Sequence, residues 1–291
     1  MTIGSGNGGS ATVVTMSMVW ERTTQVMSGR FGMLATIAAL LGIVPALLPA
    51  AAAPAPAAGA GVGMSAAAGA PGGLAVIVSL CSIWSALALT AAASSPSVDR
   101  VGTALRLGGR RLPVAIGLWL VIGVLAALVL IVPVAILGAR GADLSAWLSG
   151  DLAHAVSPGA ALGTLAFLLL VLALGLWLSA RLFLLNAVLV NEKRGIGSLA
   201  RAFELSRGYT WRLVGVLLLF GIVYLVLFLA VRSVAGTLFE LLLGSGAPAA
   251  ALILTQLASA TLSAGFAVVI STFAAQLYRS VSGMEAAEAF S

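Results

Sequence analysis

Six long apolar runs divide this chain, and its basic residues gather in every second gap between them. The runs are Phe31–Ala50, Gly72–Ala93, Pro113–Leu137, Ala160–Val190, Trp211–Val231 and Pro248–Tyr278. A hydrocarbon layer about 30 Å thick is crossed by roughly 20 apolar residues in a helix. Only helices and closed barrels satisfy their backbone hydrogen bonds there. These runs lack the polar and apolar alternation of barrel strands, so the chain reads as an all-α, six-span membrane protein. The fourth and sixth runs are too long for an upright crossing. A tilt, or an extension past the hydrocarbon, is expected of them.

Twelve of the fifteen Lys and Arg residues follow the alternation. Arg22 and Arg30 precede the first run, and Arg100, Arg106, Arg110 and Arg111 separate the second from the third. Lys193, Arg194, Arg201, Arg207 and Arg212 fall around the gap between the fourth and fifth, and Arg279 follows the sixth. Only Arg140 and Arg232 lie in the other gaps, and Arg181 lies inside a run. Cytoplasmic loops carry the excess of Lys and Arg, which puts both termini in the cytoplasm.

Composition narrows the partners. Charged residues make up 8% and hydrophobic ones 61%, with a mean hydropathy of +1.14, where soluble domains carry about 25% charged residues. The pI of 10.7 rests on a net charge of only +6. Because the basic residues edge apolar runs, the expected partner is the lipid headgroup layer, at about 1 kcal/mol per residue near an anionic surface. Nucleic acid is not expected. The single cysteine, Cys81, excludes an intrachain disulfide and a cysteine metal cluster.

The domain reading is one membrane domain over 19–282, between a Gly/Ser-rich disordered tail over 1–18 and a short tail over 283–291. The first eighteen residues have no basic residue ahead of an apolar core, unlike a signal peptide.

Within the domain, each basic gap reads as an amphipathic helix leading into an odd-numbered span. In the second, Val98, Val101, Leu105 and Leu112 form an apolar face against Arg100, Thr103, Arg106 and Arg110. Ser95 and Pro96 suit its N-cap and first turn, and Asp99 suits its dipole. In the third, Ile196, Leu199 and Phe203 oppose Arg201, Glu204 and Arg207. In the first, Trp20, Met27 and Phe31 oppose Arg22 and Gln25. With Gly29, Gly109 and Gly208 in register, the chain reads as three repeats over about 19–93, 95–190 and 195–279, each a surface helix followed by two spans.

Arg181 is the main candidate site. A charge near the bilayer centre costs about 2.5–3.5 kcal/mol on insertion scales, so its presence asks for a function or a route to the headgroups. Glu192 lies on the same helical stripe about 16 Å away at 1.5 Å per residue, too far to pair on one straight helix. Asn186 is expected to bond between helices. Arg100, Arg106, Arg110, Arg111, Arg201, Arg207 and Arg212 are headgroup candidates. Trp20, Trp119 and Trp211 suit interfacial anchoring. Arg232 and Glu240 read as interfacial residues, in an outer segment Arg232–Gly244 able to form a separate short helix. His154, Asp143 and Asp151 read as solvated loop polarity. No nucleophile motif, P-loop or zinc signature occurs. No catalytic residue, cofactor or metal is expected.

The stretch RLFLLNAVLVNEKRGIGSLARAFELSRGYTWRLVGVLLLF resembles the glycerophosphoryl diester phosphodiesterase membrane-domain family and the related YciC-like bacterial proteins. The resemblance lies in Arg181, Glu192, Ala202, Ser206, Gly208, Trp211 and Arg212, and in AAQLYRSVSG around Tyr278 and Arg279. Leu205 stands where the family commonly has Arg, and Asn186 where Pro is common. The resemblance implies a bacterial inner-membrane module without the soluble catalytic barrel found in some relatives. The expected function is non-enzymatic, lipid-interacting or envelope-organising, with a homo-oligomer or an envelope protein partner left open. The alternative is a transporter or passive pathway for a small or anionic solute, built around a polar cavity near Arg181.

Overall fold

The computed structural model describes residues 16–52, 72–95, 98–139, 161–192, 197–244 and 247–282. All their regular structure is helical: α1 (Met16–Ala38), one π-helical turn (Ala39–Ile43), α2 (Val44–Ala52), α3 (Gly72–Ser94), α4 (Val101–Ala139), α5 (Ala161–Leu182), α6 (Leu185–Glu192), α7 (Gly197–Ser206), α8 (Thr210–Leu243) and α9 (Pro248–Val281). Six segments are long and apolar enough to cross a membrane, which makes this a multi-pass membrane protein: Met16–Pro49, Gly73–Ser94, Val101–Ile131, Leu165–Glu192, Thr210–Leu243 and Ala249–Val281.

Local chemistry explains where these helices bend. Arg30 adopts φ −129 and ψ 19, so α1 changes direction between its polar first half and its apolar second half. Pro45 has no N–H to offer the carbonyl four residues back, and its ring crowds that carbonyl. The chain widens just before it, with the Val44 N–H reaching Ala39 O five residues back. The long fourth run does not cross as one tilted rod. It breaks at Phe183 and Leu184 into α5 and α6. The fifth run continues as helix through Arg232 to Leu243, so no separate outer helix forms, and both Arg232 and Glu240 are exposed.

The three aligned glycines adopt three local structures. The bend in α1 follows Gly29, at Arg30. Gly109 lies in the unbroken helix α4. Gly208 sits in a turn at φ +103, a backbone that favours glycine, and this separates α7 from α8. The surface helix and span of the second unit are thus one continuous rod. That rod lies close to α3: a Cβ built on Gly108 would stand 2.9 Å from Ala88 N and 3.1 Å from its Cα. Residues Met16–Met18, placed in the tail by composition, belong to α1. Helix α4 starts at Val101, so the Ser95 and Pro96 cap is displaced: Arg100 O accepts from Thr103 and Ala104 N–H.

The buried faces also revise the amphipathic reading. At and just before the start of α4, Val98, Ala104 and Gly108 are buried and the expected Val101, Leu105 and Leu112 only half-buried, while Arg100, Thr103, Arg106 and Arg110 are exposed. In the part of α1 before Arg30 the buried positions are Val19 and Thr23, whereas Trp20 and Phe31 are 44% and 63% exposed. Smaller side chains on the covered face let the helix approach closely. In α7 the fully covered face is Ser198, Ala202, Leu205 and Ser206, with Leu199 and Phe203 half-buried beside it. Ile196, residues 53–71 and 140–160, Lys193, Arg194 and residues 283–291 lie outside the described residues.

Helices α3 and α9 form the centre, packed on each other and on the first span. Trp84 Nε1 donates to Leu105 O at 3.0 Å, and Gln276 Nε2 donates to Ala93 O at 2.9 Å. These bonds clamp the basic ends of α3, α4 and α9. Packing is dense at that end, where Leu87, Ala115, Leu118, Leu184, Leu185, Leu213, Phe273 and Leu277 share one core. It thins towards the far end: no side chain described over 119–131 of α4 or 165–179 of α5 is buried.

Candidate functional site

The candidate residues of α5, α6 and α7 converge at the basic end, where α6, beyond the break at Phe183 and Leu184, packs against α3, α4 and α7. Arg181 occupies the last turn of α5. Its Nη1 donates to Phe203 O in α7 at 3.2 Å. Its guanidinium carbon lies 5.3 Å from the Trp177 ring centre and 5.9 Å from that of Phe203. Cation–π contacts at such distances are worth about 0.5–2 kcal/mol each. They offset part of the cost of holding a charge in apolar surroundings. Arg181 Nε is buried without a hydrogen-bond partner.

Glu192, at the end of α6, faces a different set. Tyr278 OH donates to Glu192 Oε1 at 3.0 Å, and Arg201 Nε approaches the same oxygen at 3.4 Å. Arg201 Nη1 also pairs with Glu204 Oε2 at 2.8 Å. The Glu204 hydrogen bond chiefly raises the Arg201 pKa above its usual value; burial opposes it, and the Glu192 charge and hydrogen bond add to the rise. Glu204 is 69% exposed, and exposed ion pairs contribute only about 0–1 kcal/mol. The link that matters for the fold is therefore Tyr278 to Glu192, which ties α9 to α6. So Arg181 and Glu192 do not meet directly. Both are held on α7, at Phe203 and Arg201.

The other candidates divide into two groups. Arg100, Arg106, Arg110, Arg207 and Arg212 are exposed, and Arg111 is half-buried. Trp211, at the start of α8, is 81% exposed. Asn186 makes no interhelical bond: its Oδ1 is buried without a partner. Trp20 is less a free anchor than an aromatic neighbour, 5.9 Å from Phe220 and 6.5 Å from Phe273.

The roles of four residues escaped the sequence reading. Arg30, read as a topology marker, donates from Nη1 to Ala92 O, Ser95 O and Val98 O at 2.8, 2.9 and 3.1 Å. It thereby caps the end of α3 and the turn beyond. Tyr278 acts through its hydroxyl, and a lone phenol in an apolar run is itself a signal, since a buried one seeks a partner. Trp177 and Phe203 flank Arg181, and the four-residue spacing of Trp177 from Arg181 points to the first. Among the described residues no three His, Cys, Asp or Glu side chains stand together as a metal site.

Fold and site together define a multi-pass helical bundle with a guanidinium fixed between aromatic rings at its basic end. No protein-family model, curated protein or solved structure matches this chain.

Proposed function

We propose that this is a non-enzymatic protein of the bacterial inner membrane, with both termini cytoplasmic, that interacts with anionic lipid headgroups or organises envelope components through its basic surface helices. Three units of surface helix plus two spans remain our reading of its architecture. The likeness of residues 181–225 to the glycerophosphoryl diester phosphodiesterase membrane-domain family supports the bacterial membrane assignment.

The observation that carries the reading is the first third of α4. Arg100, Arg106 and Arg110 are exposed on one side while Val98, Ala104 and Gly108 are covered on the other. Such a face is attracted to an anionic surface by about 1 kcal/mol per basic residue. Exposed Trp211 and Arg212 lie at the basic end of α8, a pairing suited to the headgroup layer. The rival reading, a pathway for a small or anionic solute, calls for polar groups around Arg181. Its described neighbours are two aromatic faces and one backbone carbonyl, which favours lipid.

Lipid copurification tests it. Replacing Arg100, Arg106, Arg110 and Arg111 by Gln should lower the enrichment of anionic over zwitterionic lipid by several-fold. Unchanged enrichment sinks the lipid-binding reading.

A further inference from the structure

We propose that Arg181 binds the phosphate of one glycerophospholipid, whose acyl chains lie along Trp177, Leu174 and Leu170 on α5. This rests on the lipid-interacting reading and narrows it to one residue and one molecule. Among the described residues Arg181 makes no ion pair. Its guanidinium stays charged at any relevant pH, and a half-buried charge in apolar surroundings requires a counter-charge or dense hydrogen bonding. The protein supplies one carbonyl and two ring faces. The carboxylates of the adjoining helices are engaged elsewhere, Glu192 by Tyr278 and Arg201 and Glu204 by Arg201.

The group is held in place, unlike a side chain that merely reaches for water. Nη1 is fixed on Phe203 O, and the guanidinium carbon lies over both rings. Among the described residues Nη2 has no hydrogen-bond partner. A guanidinium so placed suits a phosphate oxygen better than an ammonium would.

The surroundings choose between a lipid and a free anion. Trp177, Leu174 and Leu170 follow Arg181 at helical spacing, and they are 40%, 49% and 54% exposed. The stripe from Arg181 to Leu170 runs about 16 Å at 1.5 Å per residue, close to half of a hydrocarbon core about 30 Å thick. One leaflet's acyl chains cover that length. Inorganic phosphate would leave it bare.

Native mass spectrometry of the full chain, released from nanodiscs containing phosphatidylglycerol, tests the site. Wild type should keep one phosphatidylglycerol after activation that strips the rest. Arg181→Met should reduce that retention at least tenfold, and Arg181→Lys by a smaller factor. The variant with Arg100, Arg106, Arg110 and Arg111 replaced by Gln should keep the molecule, so the surface helices and this site read out separately. Excess inorganic phosphate should not displace it. Equal retention by Arg181→Met, loss in the fourfold variant, or displacement by phosphate overturns the proposal. Should Arg181→Met fail to fold, benzoylphenylalanine at Leu174 in the otherwise native chain gives a second reading. Photocrosslinking to phosphatidylglycerol above the yield from Leu120, an exposed position on α4, supports the site, and equal yields refute it.

Discussion

Gly108 offers a test in which two opposing effects of one methyl group can be weighed. In a helix interior, Gly→Ala gains about 1 kcal/mol of propensity. At Gly108, however, the new Cβ would stand 2.9 Å from Ala88 N and 3.1 Å from Ala88 Cα. Both are backbone atoms of the neighbouring helix α3, so no rotamer change relieves the contact. Overpacking of this kind costs about 1–3 kcal/mol, and the rigid neighbour places it at the upper end. The net effect of Gly108→Ala should therefore be a loss of about 1–2 kcal/mol. By the size scaling of soluble domains that is a fall on the order of 2–6 °C in the midpoint, read by heating in detergent and following the monodisperse fraction. Gly117, on the same helix, has nothing within 4 Å of a built Cβ. Gly117→Ala should hold or raise the midpoint. If Gly108→Ala matches Gly117→Ala, the close approach of α3 and α4 does not govern the stability of their contact.

Two further outcomes follow from the hydrogen bonds at the basic end. Arg30→Met leaves Ala92, Ser95 and Val98 carbonyls without their shared donor, at about 1.5–3 kcal/mol for a charge-assisted bond, and should speed amide exchange at the end of α3 ahead of the far-end helices. Tyr278→Phe removes one bond to a carboxylate, again about 1.5–3 kcal/mol; thermal midpoints should fall, and an unchanged midpoint would mean that Tyr278 does not brace Glu192.

Hydropathy marked all six spans because the bilayer demands length and apolarity, and both are written directly in composition. It was silent where backbone geometry decides. The bend at Arg30 and the break at Phe183 depend on which carbonyls find donors, and side-chain polarity does not report that. The surface helices show a second limit. The apolar face read for the first surface helix was Trp20, Met27 and Phe31, but Val19 and Thr23 are the covered positions while Trp20 and Phe31 are exposed. Close helix packing selects small side chains, and exposed aromatics gain in a lipid setting what they would lose in water. Arg181 was visible at once as a charge in an apolar run. Its setting was not, because Phe203 lies in another helix and reaches it only through the folded chain. The distance argument against an Arg181 to Glu192 pair assumed one straight helix; the two stay apart for a different reason, each held by α7.

The uneven packing of the bundle has a mechanical meaning. Side chains crowd together at the basic end, whereas among the described residues none over 119–131 of α4 or 165–179 of α5 is buried. Apolar faces so exposed suit direct contact with acyl chains, and lateral pressure in the far leaflet would bear on the helices themselves. Membrane curvature and chain length then become variables of this protein's conformation, with the clamped basic end as the fulcrum.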